Sequence, residues 1–454
     1  MRSWSGSDVA AAAGAELVRA PGAGDGPERA VIDSRAAGPG DLFVGLPGAH
    51  VDGGSFAAAA LEAGAWGVLV APEWGRRLGD GRGAVLTTED PLAALAALAR
   101  AWRRQLRAQV IGVTGSVGKT STKDLIAAMV GPHRSTVASR ANFNTEIGLP
   151  LEILAAPAGT DVLVLEMGMR GFGQIAELAA IAEPDVGVIT NVGPVHVEKV
   201  GSLEGVAQAK AELLGALRAG GTAVVPAGEH RLERWLRADL EILRFGRGGD
   251  VELGGDGAIV VRGERLDVEL PFAAAHQRLN ALAAAAAAVA IGVKPSGVLR
   301  VAFGALRGER VALPSGAELI NDCYNANPLS MRAALDDLAA QDPAGRRVAV
   351  LGDMLELGPD EERHHREVGE HASRSGVEVL VAVGPRARAT AAAFAGESHT
   401  VADAAEAAEV AREVLRPGDL ALVKASRGVG LEVVAERLLA AAPESPDPVP
   451  GTGR

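Results

Sequence analysis

A glycine-bearing turn that ends in Lys-Thr is the feature of this 454-residue chain best equipped for chemistry. The segment VIGVTGSVGKTST, Val110 to Thr122, reads as a strand, a turn with glycines at 115 and 118, and a helix opened by Lys119 and Thr120. Glycines let backbone N–H groups turn inward on phosphate oxygens, and a helix N-terminus adds partial positive charge. Lys119 would reach the outer phosphates of ATP and the Thr120 hydroxyl would ligate Mg²⁺. Gly115, Ser116, Val117, Gly118 and Ser121 complete the expected cradle. The strict spacing G-x-x-x-x-G-K-[ST] is not met, because Val113 stands where its first glycine would fall.

Three later residues could complete a metal and transfer site. Glu166 ends the apolar run DVLVLE, and a carboxylate at a strand's C-terminal end can meet Mg²⁺ beside a phosphate loop. His196 lies on the loop GPVH after a second apolar run, and Lys210 lies inside the helix that follows. Each alone has an ordinary structural reading: a solvated turn carboxylate, a packed histidine, a surface lysine. The lysines are also scarce. Among 45 basic residues only Lys119, Lys123, Lys199, Lys210, Lys294 and Lys424 are lysine. Where Arg supplies nearly all positive charge, a retained Lys can mark a need for a compact, titratable amine.

The elements that must position these groups alternate in α/β fashion. Asp90 to Leu106 reads as an amphipathic helix with Pro91 in its first turn, and it looks like a domain boundary. Beyond it, Gln109 to Val113, Asp161 to Leu165 and Val186 to Thr190 read as strands covered on both faces. Thr120 to Val130, Ser202 to Leu217 (with Ser202 as N-cap) and Leu279 to Ile291 read as helices. After about Val311 the pattern restarts, with strands at Glu318 to Ile320, Val348 to Leu351, Val377 to Val383 and Leu420 to Val423, a second doubly wound unit. The Pro- and Gly-rich tail from Ala441 is expected to be disordered.

Composition narrows the classes. A hydrophobic fraction of 48% supplies ample core, and a net charge of −12 argues against nucleic acid or an anionic membrane as a partner. Cys323 is the single cysteine, so an internal disulfide and a thiolate metal cluster are excluded. The N-terminus is a poor signal peptide, and the longest apolar run, Ala281 to Ile291, falls short of the roughly 18–20 residues a membrane span needs. A cytoplasmic monomer is expected.

Several segments taken together resemble the Mur ligases, ATP-dependent amide-forming enzymes that build the peptidoglycan stem peptide. These are TGSVGKTST, ANFNTEIGLPL (141–151), LEMGM (165–169), TNVGPVH (190–196) and AKAELL (209–214). Val113 is normal there, since that family's loop has the form T-G-x-x-G-K-T. DCYNANPLSMRAAL (322–335), VLGDMLELG (350–358), His365-x-x-Val368-Gly369 and LVKASRGVGLE (422–432) resemble the branch that adds D-alanyl-D-alanine. DSRAAGPGDLFVGLPGAHVDGGSF (33–56) is similar to that branch's UDP-sugar-binding domain.

The resemblance implies an α/β protein of three domains. They are a UDP-MurNAc-peptide domain over 1–107, a central P-loop ATPase-type parallel sheet over 108–311, and a C-terminal Rossmann-like doubly wound domain over 312–440 that closes over the site. It implies that Lys119 and Thr120 bind γ-phosphate and Mg²⁺, that Glu166 shares that ion, and that His196 serves a second Mg²⁺. Lys210 matches a lysine carbamylated in the family, which would turn a cation into a carboxylate-like metal ligand, N6-carboxylysine. Asn142 and Asn144 fall where the transferring phosphate is contacted, Asn280 matches the adenine-contacting Asn, and Arg310 the nucleotide-side Arg. Ser34 and Arg35 match UDP contacts, and Asp322, Asn325, Asn327, Asp353, Lys424 and Ser426 lie in cleft-facing motifs. Gly54 departs from the family, standing where His often follows Asp-Gly, as do Glu309, Ala425 and the segment around His276.

The implied substrates are UDP-N-acetylmuramoyl-tripeptide and D-alanyl-D-alanine, joined through an acyl phosphate. The competing readings are another ligase of the superfamily, such as a diaminopimelate- or lysine-adding enzyme or folylpolyglutamate synthase, a non-catalytic P-loop module, and a UDP-sugar-binding paralogue that does not ligate.

Overall fold

The computed structural model describes residues 1–21, 26–140, 142–301, 303–304 and 306–440. The tail from Ala441, read above as disordered, and Ala141 of the ANFNTEIGLPL segment lie outside the described residues.

The first sheet holds β1 (Glu16–Arg19), β2 (Arg29–Val31), β3 (Asp41–Val44), β4 (Gly67–Val70) and β5 (Ala84–Thr87) in the order β1-β5-β4-β3-β2. β2 to β5 run parallel, and β1 pairs antiparallel with β5. The apolar runs Leu42–Val44 and Val68–Val70 are buried throughout, as strands with both faces covered must be. At the departure at Gly54, the space is taken. A Cβ there would overlap the Trp74 ring, which also carries the Arg77 guanidinium 4.4 Å above its centroid.

The second sheet comprises β6 (Gln109–Thr114), β7 (Thr136–Ala138), β8 (Val162–Glu166), β9 (Val186–Ile189), β10 (Thr222–Pro226), β11 (Glu241–Phe245), β12 (Val251–Leu253), β13 (Ile259–Val261) and β14 (Glu264–Arg265). Their order is β14-β13-β12-β11-β10-β9-β6-β8-β7. β6 runs parallel to both β8 and β9, so the chain leaves β6 toward one edge and returns for β9 on the other side. That reversal opens a crevice at the C-terminal ends of β6, β8 and β9. A short pair, β15 (Val268–Glu269) with β16 (Gly297–Val298), lies outside this sheet.

Helix Pro91–Leu106 joins the two sheets. Asp90 caps it by accepting from Leu92 N and Ala93 N, a contribution of about 1 kcal/mol. Its buried stripe includes Leu95, Leu98 and Trp102. Trp102 packs edge-on against Trp4 of the N-terminal region and donates its indole N–H to Ala156 O at 3.0 Å, while Arg103 donates to the carbonyls of Ala182 and Glu183. The helix that reads as a boundary therefore welds the first sheet to the second.

The third sheet holds β17 (Glu309–Ala312), β18 (Glu318–Asn321), β19 (Arg347–Gly352), β20 (Val379–Val383), β21 (Glu397–Val401) and β22 (Leu420–Lys424), in the order β17-β18-β22-β19-β20-β21. Only β17 is antiparallel among these described strands. Two apolar cores cover its faces, one including Leu319, Val350, Val381 and Val423, the other Met331, Leu335, Leu351 and Leu380.

Backbone contacts divide the chain into two compact units. Met1–Val192, Ala207–Phe272 and Gln277–Ala302 form the first, with both N-terminal sheets. Gly193–Val206, Ala273–His276 and the chain from Phe303 onward form the second. Helix Leu203–Gly215 begins as expected, with Ser202 Oγ accepting from Gly205 N at 3.1 Å.

Candidate active site

In the first unit, the phosphate loop leaves β6 at Thr114 and enters helix Lys119–Val130. Gly118 caps that helix in the left-handed region, with φ of 80°, which suits glycine. A Cβ on Gly118 would come within 2.5 Å of Asn280 Oδ1. Two residues just beyond β9 brace the turn from behind. Asn191 accepts from Val117 N at 2.9 Å and donates from Nδ2 to Val117 O at 2.9 Å, and Thr190 Oγ1 donates to the same carbonyl at 2.6 Å. Lys119 Nζ donates back to Gly115 O at 3.0 Å. The loop is thus preformed, with Ser121 buried on the first helical turn and Asn280 beside it on helix Ala275–Ala290.

Glu166, at the end of β8, meets the helix. Thr120 Oγ1 donates to Glu166 Oε2 at 2.6 Å, and Asn144 Nδ2 donates to Oε1 at 2.8 Å. The Glu166 N–H is held by Ser139 Oγ at 3.1 Å. A hydroxyl and a carboxylate beside a helix N-terminus are hard oxygen donors, the kind Mg²⁺ takes together with substrate phosphates and water. Among the described residues no three His, Cys, Asp or Glu side chains gather around one point. The donor types of Thr120 and Glu166 are nonetheless compatible with such an ion. Asn142 lies on the same loop as Asn144, its carbonyl accepting from Asn144 N.

Lys210 lies on helix Leu203–Gly215, which approaches β6 and β9 closely because Gly112 and Gly187 present no side chain to Leu213. It is among the largest fully buried side chains, at 1% exposure. Burial, and secondarily the charge of Lys119, hold its ammonium well below the ordinary lysine range. A neutral amine is the form that reacts with CO₂.

The second unit collects the remaining motifs at the C-terminal ends of β18, β22 and β19. Lys424 ends β22 and donates to Asp322 Oδ2 at 2.6 Å and Asn325 O at 3.0 Å. Ser426 accepts from Leu355 N and donates to Ala326 O, tying two of these loops together. Asn327 is the N-cap of helix Pro328–Ala339, its Oδ1 accepting from Ser330 N. The buried Asp353 Oδ1 accepts from Arg386 N and Ala387 N. These last two polar groups are engaged in holding backbone. His365 braces the loop after β19, with Nδ1 facing Glu361 O at 2.7 Å and Nε2 accepting from Met354 N at 3.0 Å. Burial pushes its pKa down. His276, near Asp337, Asp322 and Lys424, is likewise pushed down by burial.

His196 belongs to this second unit, in left-handed backbone with φ of 53°. Its Nδ1 pairs with the Glu356 carboxylate, and Gly358 N donates to Glu198 Oε1 at 3.3 Å. Arg310, placed by sequence at the end of the central domain, sits on edge strand β17 and pairs with Glu318 at 2.9 Å across the hairpin. In the first unit, Ser34 opens a short turn and Arg35 folds onto Asp33, whose carboxyl the guanidinium lowers to about 2.

The geometry brings Gly115 to Ser121, Glu166, Asn144 and Asn280 together, and separately Asp322, Asn325, Lys424 and Ser426. Thr190, Asn191 and Ser139, which support the first group, were not singled out from sequence. Thr190 and Asn191 open the segment TNVGPVH, whereas the one signal of Ser139 is its position immediately after β7. Of the six lysines, Lys123, Lys210 and Lys424 are buried and Lys119 half-buried, whereas Lys199 and Lys294 are exposed.

Comparison with known proteins covers most of the chain. The Mur ligase family catalytic domain matches residues 30–103, the Mur ligase middle domain residues 113–288, and the Mur ligase glutamate ligase domain residues 306–427. The UDP-N-acetylmuramoyl-tripeptide--D-alanyl-D-alanine ligase of Bacillus subtilis is 36% identical, covering 94% of this chain and 97% of that one. Its namesake in Mycobacterium tuberculosis H37Rv is 39% identical, covering 90% and 91%. Among solved structures, MurF from Acinetobacter baumannii superposes with a TM-score of 0.86 at 28% identity over 96% of this chain and 99% of that one. MurF ligase from Thermotoga maritima in complex with ADP gives a TM-score of 0.79 at 28% identity, covering 91% and 97%.

Proposed function

The chain belongs to the Mur ligase family, and from that premise we propose how its residues divide the work. It joins D-alanyl-D-alanine to the terminal carboxylate of UDP-N-acetylmuramoyl-tripeptide at the expense of ATP, in peptidoglycan precursor synthesis. The observation that carries this is the match to ligases of that activity along nearly the full length of both chains. The preformed phosphate loop with Thr120 against Glu166 supports the ATP half.

A carboxylate has no leaving group, so amide formation needs one supplied. The tripeptide carboxylate attacks the γ-phosphorus, ADP departs, and an acyl phosphate remains. The neutral D-alanyl-D-alanine amine attacks the acyl carbon, and the tetrahedral intermediate collapses to amide and inorganic phosphate, the proton lost from nitrogen leaving on the phosphate. Lys119 and the N–H groups at the start of helix Lys119–Val130 neutralise charge on the phosphates, while the N–H groups of Ser116 and Val117 are engaged by Asn191. Asn280, beside Gly118, orients the adenosine end, and Asn142 and Asn144 border the transferring phosphate. Thr120 and Glu166 would hold one Mg²⁺, which supplies further charge neutralisation when bound. His196 as ligand of a second Mg²⁺ and Lys210 as a carbamylated ligand rest on the family resemblance, with the burial of the Lys210 amine in support of the latter. Ser34 and Arg35 are assigned to the UDP moiety, Arg310 to the nucleotide, and Asp322, Asn325, Asn327, Asp353, Lys424 and Ser426 to the acceptor half or its support. Divisions at 107/108 and 311/312 are the proposed domain boundaries.

Among the described residues no helix is long and apolar enough to cross a membrane. A cytoplasmic location and a monomer are part of the proposal, which light scattering and fractionation would test. The activity itself is tested by phosphate release from ATP and UDP-N-acetylmuramoyl-tripeptide with different amines. Release with D-alanyl-D-alanine and none with single amino acids is expected. The reverse pattern would assign the chain to an amino-acid-adding branch.

A further inference from the structure

Lys123 takes no part in the chemistry above, yet its side chain is only 6% exposed. Burying an ammonium is costly unless its donors are used. Here they are. Lys123 Nζ donates to Ser139 O at 2.6 Å and lies 2.6 Å from Asp124 Oδ1. Ser139, itself buried, is the residue at which β7 gives way to the loop carrying Asn142 and Asn144. Its own N–H donates to Val164 O at 2.9 Å, and its hydroxyl accepts from Glu166 N at 3.1 Å. Glu166 then returns to the helix through Thr120, three residues before Lys123.

Thr120, Glu166, Ser139 and Lys123 thus close a hydrogen-bonded ring that begins and ends on one turn of helix Lys119–Val130. Through it, one ammonium anchors both supports of the Glu166 carboxylate. The Ser139 hydroxyl fixes the backbone from which the carboxylate projects, and the loop starting at Ser139 delivers Asn144 to Oε1. We propose that Lys123 and Ser139 are positioning residues that set the Glu166 carboxylate for a divalent cation bound with nucleotide. This rests on the reading that Thr120 and Glu166 hold that cation. It also accounts for a lysine here in an arginine-rich chain. A compact ammonium can reach a carbonyl and a neighbouring carboxylate in a closed space, where a planar guanidinium would need a wider fork.

The test uses the full-length protein with Mn²⁺ as probe. Mn²⁺ binding in the presence of ADP is followed by electron paramagnetic resonance, and ADP binding without metal is measured separately. Lys123→Met and Ser139→Ala should each weaken Mn²⁺ binding on the order of tenfold while leaving metal-free ADP affinity unchanged. Glu166→Gln should abolish protein-bound Mn²⁺, leaving the spectrum of the free and nucleotide-bound ion. If Glu166→Gln still binds Mn²⁺ normally, the cation seat is misassigned and the inference falls with it. If Glu166→Gln loses Mn²⁺ but both other variants bind like wild type, the seat stands and the positioning role is overturned. Should Lys123→Met fail to fold, Ser139→Ala decides alone, since it removes the hydroxyl and keeps the carbonyl. Equal losses of metal-free ADP and Mn²⁺ binding in Ser139→Ala would mean general collapse of the loop, and would also overturn the proposal.

Discussion

Thr190 occupies the space that a side chain on Gly115 would need: a Cβ there would overlap Thr190 Oγ1 and lie 3.0 Å from Thr190 Cβ. Gly115→Ala should therefore push the phosphate loop off the Thr190–Asn191 brace. ADP affinity is expected to fall at least on the order of tenfold, about 1.4 kcal/mol, with a smaller change in thermal stability. Adding Thr190→Ala to Gly115→Ala should restore part of the affinity. Isothermal titration of the single and double variants checks this, and additive losses would show that the two residues do not compete for the same space.

Lys119→Ala should abolish ligation and leave the fold intact. The side chain is half-buried at a helix N-terminus, so its removal opens no core cavity. A loss of about 10²-fold or more in turnover is expected, the scale for removing a charge-stabilising donor. Circular dichroism should be unchanged. Near wild-type turnover would mean that the loop does not hold the transferred phosphate.

Lys210 should carry CO₂. Its amine is held well below the ordinary lysine range, first by burial and then by Lys119, which favours the neutral, nucleophilic form. Activity should rise with added bicarbonate after exhaustive CO₂ removal, and isotope-labelled bicarbonate should give a carbamate signal by NMR that Lys210→Ala lacks. Lys210→Ala should be inactive and be rescued in part by a short carboxylate such as acetate or formate. An unmodified amine in the fully active enzyme would count against carbamylation.

His365 should make the protein acid-sensitive. Burial lowers its pKa from the ordinary 6.5, and its Nε2 must stay unprotonated to accept from Met354 N. Between the folded and unfolded pKa values the unfolded state binds more protons, so stability rises with pH there. The contribution is complete above about pH 6.5 and is lost as pH falls below it. His365→Ala should cost about 1–3 kcal/mol at neutral pH by orphaning the Met354 N–H. It should also flatten the acid limb of the chemical-denaturation stability curve, and an unchanged limb would place the sensitivity elsewhere.

How far the sequence could be read depended on whether a segment's pattern was local. The β6 turn, the apolar runs at β8 and β9, and helix Pro91–Leu106 with its Asp90 cap all announce themselves within a dozen residues. The strands β11, β12 and β14 do not. They are two to five residues long and carry charges such as Glu241, Arg244, Glu252 and Glu264, so period and hydropathy give little signal, and only pairing in the sheet defines them. The role of helix Pro91–Leu106 was equally hidden, because an amphipathic helix shows that it packs but not on what. In the site, residues with diagnostic types were visible, Lys119 and Glu166 among them. Thr190, Asn191 and Ser139 act through geometry that arises only when β9 and β7 are laid beside β6 and β8.

The distribution of lysines has a practical meaning. With Lys199 and Lys294 at the surface, and Lys119, Lys123, Lys210 and Lys424 wholly or partly withdrawn, side-chain amines are divided into an exposed pair and a sheltered set. An amine-selective reagent should mark the first pair rapidly and the rest only when the protein opens around them. Timed covalent labelling read by peptide mapping would then serve as a built-in footprint of nucleotide and peptide occupancy, with no tag or foreign residue added.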